Sequence, residues 1–213
     1  GVGARVTVIA PRVGEALTAL ARAGRIQHER RPFAAGDTAG FRLVIAATDD
    51  ARLNAAVAEE GRRRGLLVNV VDCAPESNFI VPAVLRRGEL VIAVSTGGAS
   101  PAQARRIRER LEREYGAEWG PYLSLLEELR PLVIAHWPPG TAREAVLQAL
   151  AAGRVRELLA QGEAEAVRAE ILRCLGEPGQ ALASSVEEAV GRALAALEAG
   201  RSQSPAAEKG EEA

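Results

Sequence analysis

Asp72 closes the run Leu66-Leu-Val-Asn-Val-Val-Asp72, and Asp49 and Asp50 follow the run Arg42-Leu-Val-Ile-Ala-Ala-Thr48. A carboxylate at the carboxyl end of a strand can accept a proton from a reacting carbon or nitrogen. Apolar neighbours such as Val70, Val71 and Phe79 would raise the pKa of Asp72 toward a useful range. Asp49 and Asp50 read first as N-caps of the helix that follows, and second as neighbours of a bound cofactor. Ser100-Pro-Ala-Gln103 has the form of a capped helix start, with Pro at its first position. That start lies beside Gly97 and Gly98 and would also suit an anion. Arg62-Arg-Arg64 and Arg105-Arg-Ile-Arg108 read as solvated helix faces before they read as carboxylate contacts. His28 and His136 have no metal-ligand spacing, and Cys73 beside Asp72 reads as a free thiol.

The elements around these residues alternate in the first third of the chain, as parallel βαβ units do. Arg5–Ala10 is a β-branched strand, Val13–Ala23 a helix closed by Gly24, and Ile26–Phe33 a weaker strand near an edge. Arg42–Thr48 is apolar throughout, as a strand buried on both faces would be. A helix is expected over Ala51–Arg64 and another buried strand over Leu66–Asp72. After Pro75 the character changes. Phe79–Leu85 and Leu90–Ser95, separated by Arg86-Arg-Gly-Glu89, predict an antiparallel hairpin. A helix follows from Ser100 to about Tyr115. From Gly120 every periodic segment is helical, with capping-box patterns at Thr141-Ala-Arg-Glu144 and Ser185-Val-Glu-Glu188. The small, polar stretch Arg201–Ala213 is expected to be disordered. The fold class is therefore α/β: a Rossmann-like parallel sheet over 1–78, a hairpin-helix segment over 79–117, an all-α region over 118–200 and a tail over 201–213.

Composition narrows the function classes. The chain has 213 residues, with 27 Lys+Arg against 28 Asp+Glu, a net charge of −1. That balance argues against a nucleic-acid partner bound through overall basicity. No apolar run reaches the length of a membrane span, so no membrane partner is expected. Two cysteines, Cys73 and Cys174, make no disulfide framework and point to a reducing cytoplasm.

Five motifs in order resemble one family: Gly3-Ala-Arg-Val-Thr-Val-Ile-Ala-Pro11; Val44-Ile-Ala-Ala-Thr-Asp-Asp50 with Asn54; Asn69-Val-Val-Asp72; Phe79-Ile-Val-Pro82; and Ser95-Thr-Gly-Gly-Ala-Ser-Pro101. Together they are similar to precorrin-2 dehydrogenase, which occurs as a module of siroheme synthase and as a stand-alone protein. The resemblance covers residues 3 to 115. It implies a homodimer that oxidises precorrin-2 to sirohydrochlorin with NAD in siroheme biosynthesis. It also implies Asp72 as the catalytic carboxylate, Pro11, Arg12, Thr48 and Asp49 at the cofactor, and Thr96 and Ser100 near the tetrapyrrole substrate. Thr96 departs from the serine found in some relatives. Arg12 stands where many NAD enzymes hold an acidic ribose partner, which leaves NAD against NADP open. Two alternatives stay open: a bifunctional enzyme that also inserts ferrous iron into sirohydrochlorin, and a non-catalytic module that senses NAD.

The chain begins at Gly1 and contains no methionine. Gly1-Val-Gly-Ala4 precedes a strand, whereas the Gly-rich phosphate loop of a Rossmann fold follows one. The sequence thus reads as truncated on its N-terminal side, lacking the first strand and that loop. Without the strand, Arg5–Ala10 and Arg42–Thr48 lose a shared neighbour, and low stability or weak NAD binding is expected.

Overall fold

Short β-branched runs separated by helices give parallel pairs, because the helix carries the chain back to the starting edge. The computed structural model describes residues 3–203. The chain divides into two units, Gly1–Val81 and Pro82–Ala213.

In the first unit, β1 (Thr7–Ile9) pairs in parallel with β2 (Gln27–Glu29), with α1 (Glu15–Arg22) between them. Strand β3 (Leu43–Ala46) pairs in parallel with β4 (Leu67–Val70) across α2 (Ala51–Arg63). The two pairs are separate sheets among the described residues. Val44 and Ala46 turn toward α2 and pack with Val57, Ala58, Val68 and Val70. Ala58 and Val68 are fully buried. Each buried valine contributes about 1.5–3 kcal/mol.

The expectation that Arg42–Thr48 is buried on both faces is corrected. Leu43 is 45% and Ile45 55% exposed. Successive side chains point to opposite faces of a strand, and only the α2 face is covered. The backbone shows the same one-sidedness. The Leu67 and Val71 amides donate to the Arg42 and Ala46 carbonyls, so residues 42, 44 and 46 use their polar groups toward β4. Those of Leu43 and Ile45 point the other way. Helix α1 also has no buried residue.

Glu60, on the last turns of α2, fastens the loop before β3. Its carboxylate accepts from the Gly36 amide at 2.8 Å, from the Thr38 amide at 3.2 Å and from the Thr38 hydroxyl. The Thr38 hydroxyl and the Gly36 amide are the main reasons why its pKa is pulled down to about 2. Arg31 closes the same loop with a two-pronged contact to Asp37, at 2.6 and 2.8 Å.

In the second unit, β5 (Ala83–Arg87) and β6 (Leu90–Val94) form the expected antiparallel hairpin. It turns at Gly88, where φ is +57°. A Cβ on Gly88 would lie 3.1 Å from the Cα of Gly120, so two glycines let the hairpin tip meet the start of the helix over Trp119–His136. Helix α3 (Pro101–Glu114) packs on the inner side of the hairpin around buried Leu85 and Ala104. Helices α4 (Trp119–His136), α5 (Thr141–Ala152), α6 (Val155–Gln161), α7 (Ala164–Leu175) and α8 (Ala183–Gln203) then form a bundle. Tyr122, Leu125, Leu129 and Val133 on α4 meet Val186, Val190 and Ala193 of α8 in one core. Both stripes recur at helical spacing.

Two expected caps are displaced. The cap of α5 is Gly140, with Thr141 already inside the helix. A 3₁₀ turn over Glu177–Leu182 leads into α8, so Ser185 sits within the first turn of that helix. The expectation of a disordered tail lies outside the described residues for 204–213, while Arg201–Gln203 continue α8.

Glu60 supplies a pH test. Its pKa is lower in the folded chain than the ordinary 4.5, so its contribution is complete above that value and fades as pH falls toward 2. Urea unfolding of the first unit should therefore weaken over this interval more steeply in the parent than in Glu60→Gln, followed by circular dichroism. Equal slopes would show that the carboxylate is not ionised against the loop.

Candidate active site at the strand ends

The β3–β4 register sets the site. Leu43 pairs with Leu67 and Ala46 with Val70, so Thr48, Asp49 and Asp72 leave the sheet at one end. Ligands of open parallel sheets bind at such carboxyl ends.

Beyond β3, the loop is held from within. Thr48 donates its hydroxyl to Asn54 Oδ1 at 2.8 Å, its amide reaches the same oxygen at 3.2 Å, and Asn54 Nδ2 returns a bond to the Thr48 carbonyl at 2.9 Å. Asn54 is buried on α2. Asp50 is the N-cap of α2 and accepts from the Arg52 and Leu53 amides at 2.8 and 3.2 Å. Asp49 makes no cap. It is exposed in the loop between β3 and α2.

Beyond β4, the chain reverses through Val70–Cys73, where the Cys73 amide donates to the Val70 carbonyl at 3.2 Å. Asp72 is the one non-glycine residue with positive φ, at +59°, among the described residues. Aspartate tolerates this conformation better than most side chains, yet a non-glycine residue there signals constraint. Its side chain is exposed. The apolar surround expected from its neighbours is not closed in this chain. Val70 is buried on the α2 side, Val71 is 45% exposed, and Phe79 lies along β4.

Pro11 and Arg12 follow β1, both exposed. The ring of His28 meets the Ala10 carbonyl at 2.9 Å and ties the ends of β1 and β2 together. No hydrogen bond joins Pro11 or Arg12 to Thr48 or Asp49 among the described residues. Thr96 and Ser100 belong to the second unit. The Thr96 hydroxyl accepts from the Ser100 amide at 3.1 Å, and the Ser100 hydroxyl accepts from Gln103 at 3.3 Å. Ser100 is thus the cap of α3, and Thr96, not Gln103, completes the reciprocal half.

Three residues had no assigned role in the sequence: Asn54, Ser77 and Asn78. Asn78 Oδ1 accepts from the Val68 amide at 2.6 Å, and its Nδ2 donates to the Leu66 carbonyl at 2.7 Å. Asn69 Nδ2 donates to the Phe79 carbonyl at 3.1 Å. The available signal was a Ser-Asn pair soon after a strand whose second edge needed partners.

The carboxyl ends of a parallel α/β unit are where nucleotide-binding modules take their ligands. Residues 1–83 match a family model described as putative NAD(P)-binding, and residues 87–114 match the central segment of a sirohaem biosynthesis protein. The chain is 44% identical over 163 residues to a siroheme synthase of Methylococcus capsulatus, covering 76% of this chain and 34% of that protein. It is 37% identical over 184 residues to the Chromobacterium violaceum siroheme synthase, covering 86% and 39%. Among solved structures, SirC, a precorrin-2 dehydrogenase, matches with a TM-score of 0.65 at 26% identity, over 81% of this chain and 82% of that one. The chain belongs to the family of precorrin-2 dehydrogenases and siroheme synthases. It spans about a third of the length of the curated siroheme synthases it matches.

Asn54→Ala removes three bonds at the Thr48 loop and leaves the Thr48 amide and carbonyl short of their side-chain partners. It should lower the stability of the first unit by about 1–3 kcal/mol, read from the urea midpoint. A change under about 0.5 kcal/mol would mean that the loop holds itself.

Proposed function

We propose that the chain catalyses the NAD-dependent dehydrogenation of precorrin-2 to sirohydrochlorin, with Asp72 as proton acceptor. The observation that carries this reading is the exposed Asp72 carboxylate, held in a left-handed turn at the strand end that also presents Thr48 and Asp49. The substrate loses two hydrogens, one as hydride and one as proton. NAD, when bound, accepts the hydride. Asp72 accepts the proton, which a carboxylate does best once docked substrate excludes water from it. The fit of the cofactor rests on open strand ends. Pro11 and Arg12 border it after β1, and Thr48 and Asp49 after β3. Asn54 keeps Thr48 in place, so this edge is formed before binding.

Thr96 and Ser100 are assigned to the segment that meets substrate carboxylates. Their hydroxyls are engaged in capping α3, so they act by shaping the turn through Gly97 and Gly98. We assign the outer face of the hairpin to a second copy of the chain. Val84 and Val91 are 41% and 45% exposed there, in cross-strand register with Ala93 and Arg86 respectively. An apolar sheet face of this kind favours self-association. No described helix is long and apolar enough to cross a membrane, and the two free thiols suit a reducing compartment, which we take to be the cytoplasm.

Asp72→Asn should reduce kcat by about 100-fold or more, in the range of a lost general base, with NAD affinity within about twofold of the parent. Conversion of precorrin-2 at the parental rate by this variant would end the assignment. Val84→Asp, on the outer face, should shift sedimentation equilibrium from dimer toward monomer. An unchanged dimer would remove that face from the interface.

A further inference from the structure

The turn that holds Asp72 is fastened by a side chain outside the machinery described above. Ser77 follows a 3₁₀ turn over Ala74–Glu76, and its hydroxyl lies at the mouth of the Val70–Cys73 reversal. Ser77 Oγ accepts from the Val70 amide at 2.9 Å and donates to the Cys73 carbonyl at 2.9 Å. It stands 3.3 Å from the Val70 carbonyl as well. One hydroxyl thus bonds the residue that enters the turn and the residue that leaves it. The Cys73–Val70 backbone bond is the only other closure of this reversal among the described residues, and it is the longer at 3.2 Å.

Asn78 meets the edge of β4 at Leu66 and Val68. The edge at residues 66 and 68 is therefore satisfied without Ser77. What Ser77 adds falls on residues 70 and 73, which bracket Asp72. L-residues leave the left-handed region unless their surroundings hold them there.

We propose that Ser77 is a positioning residue for Asp72: its hydroxyl clamps both ends of the Val70–Cys73 turn and so fixes the direction of the carboxylate. The inference rests on Asp72 being the proton acceptor. A misplaced base loses rate without losing the cofactor, because the Thr48 edge is built separately by Asn54.

The test measures kcat, KM and NAD affinity in the full chain. Ser77→Ala should lower kcat by about 10- to 100-fold while NAD affinity stays within about twofold. Ser77→Thr, which keeps the hydroxyl, should restore most of kcat. In an Asp72→Asn background, Ser77→Ala should change the residual rate by less than about twofold, since two residues acting as one unit do not add. If Asp72→Asn is impaired but Ser77→Ala turns over like the parent, or if the two losses multiply, the positioning role is overturned while the Asp72 assignment stands. If Asp72→Asn keeps the parental rate, both fall. Should Ser77→Ala not fold, as judged by circular dichroism, Ser77→Cys replaces it. The thiol has a similar shape and is a weak donor, so a kcat well below that of Ser77→Thr supports the clamp and equal values refute it.

Discussion

The outer edge of β4 is the constraint on which the site depends. A strand that ends a sheet exposes unpaired amides and carbonyls, and a half-buried edge cannot leave them unmet. Between Leu66 and Val70, the groups facing away from β3 are those of residues 66, 68 and 70. A segment of three residues, 77 to 79, meets them. Asn78 meets residue 66 through its side chain and residue 68 through both side chain and backbone, the Phe79 amide reaches the Val68 carbonyl at 3.4 Å, and Ser77 takes the Val70 amide. To lie there, the chain must reverse within a few residues of leaving the strand. The Val70–Cys73 reversal places positive φ at its third residue, as a type II turn does, and that residue is Asp72. The left-handed conformation of Asp72 is thus part of the same reversal that brings residues 77 to 79 to the edge.

Magnitudes fit this arrangement. A non-glycine residue in the left-handed region costs about 1–3 kcal/mol. Each intramolecular hydrogen bond returns about 1 kcal/mol net, and a buried backbone group left unpaired costs about 1–3 kcal/mol. Several such groups along β4 outweigh one strained residue. A glycine at 72 would remove the strain and the carboxylate together. The neighbouring strand end follows another rule. There Asn54, buried on α2, ties Thr48 to the helix, and Asp50 caps the helix itself. One end of the site is thus held by helix capping and the other by edge pairing. They share only the β3–β4 ladder.

Much of the architecture was legible in the sequence because periodicity and turn chemistry are local. Helices α2 and α3 stand within a residue or two of their expected bounds, with Asp50 and Ser100 as caps. The hairpin and the weak edge character of β2 follow from composition in the same way. What was not legible depends on partners distant in the chain. The apolar run at Arg42–Thr48 looks the same whether one face or two is covered, and Leu43 and Ile45 turned out open. Thr141 and Ser185 fit a capping pattern, but Gly140 and the 3₁₀ turn before α8 set those starts instead. Asp72 could be singled out as a candidate by type and by its place after a strand. The left-handed backbone that aims it could not, since it arises from residues five to seven places further on.

An exposed carboxylate is by itself a poor base, since water stabilises its charge. The turn therefore prepares direction, and the apolar environment must arrive with a ligand. The residues next to Asp72 fit that division. Val71 is exposed while the backbone beneath it is tied to β3 through the bond from its amide to Ala46. The exposed Val71 side chain thus stands on a backbone tied to β3, beside the carboxylate. Under the proposed reading, a docked ring would exclude water from the Asp72 carboxylate in the same event that brings the proton within its reach.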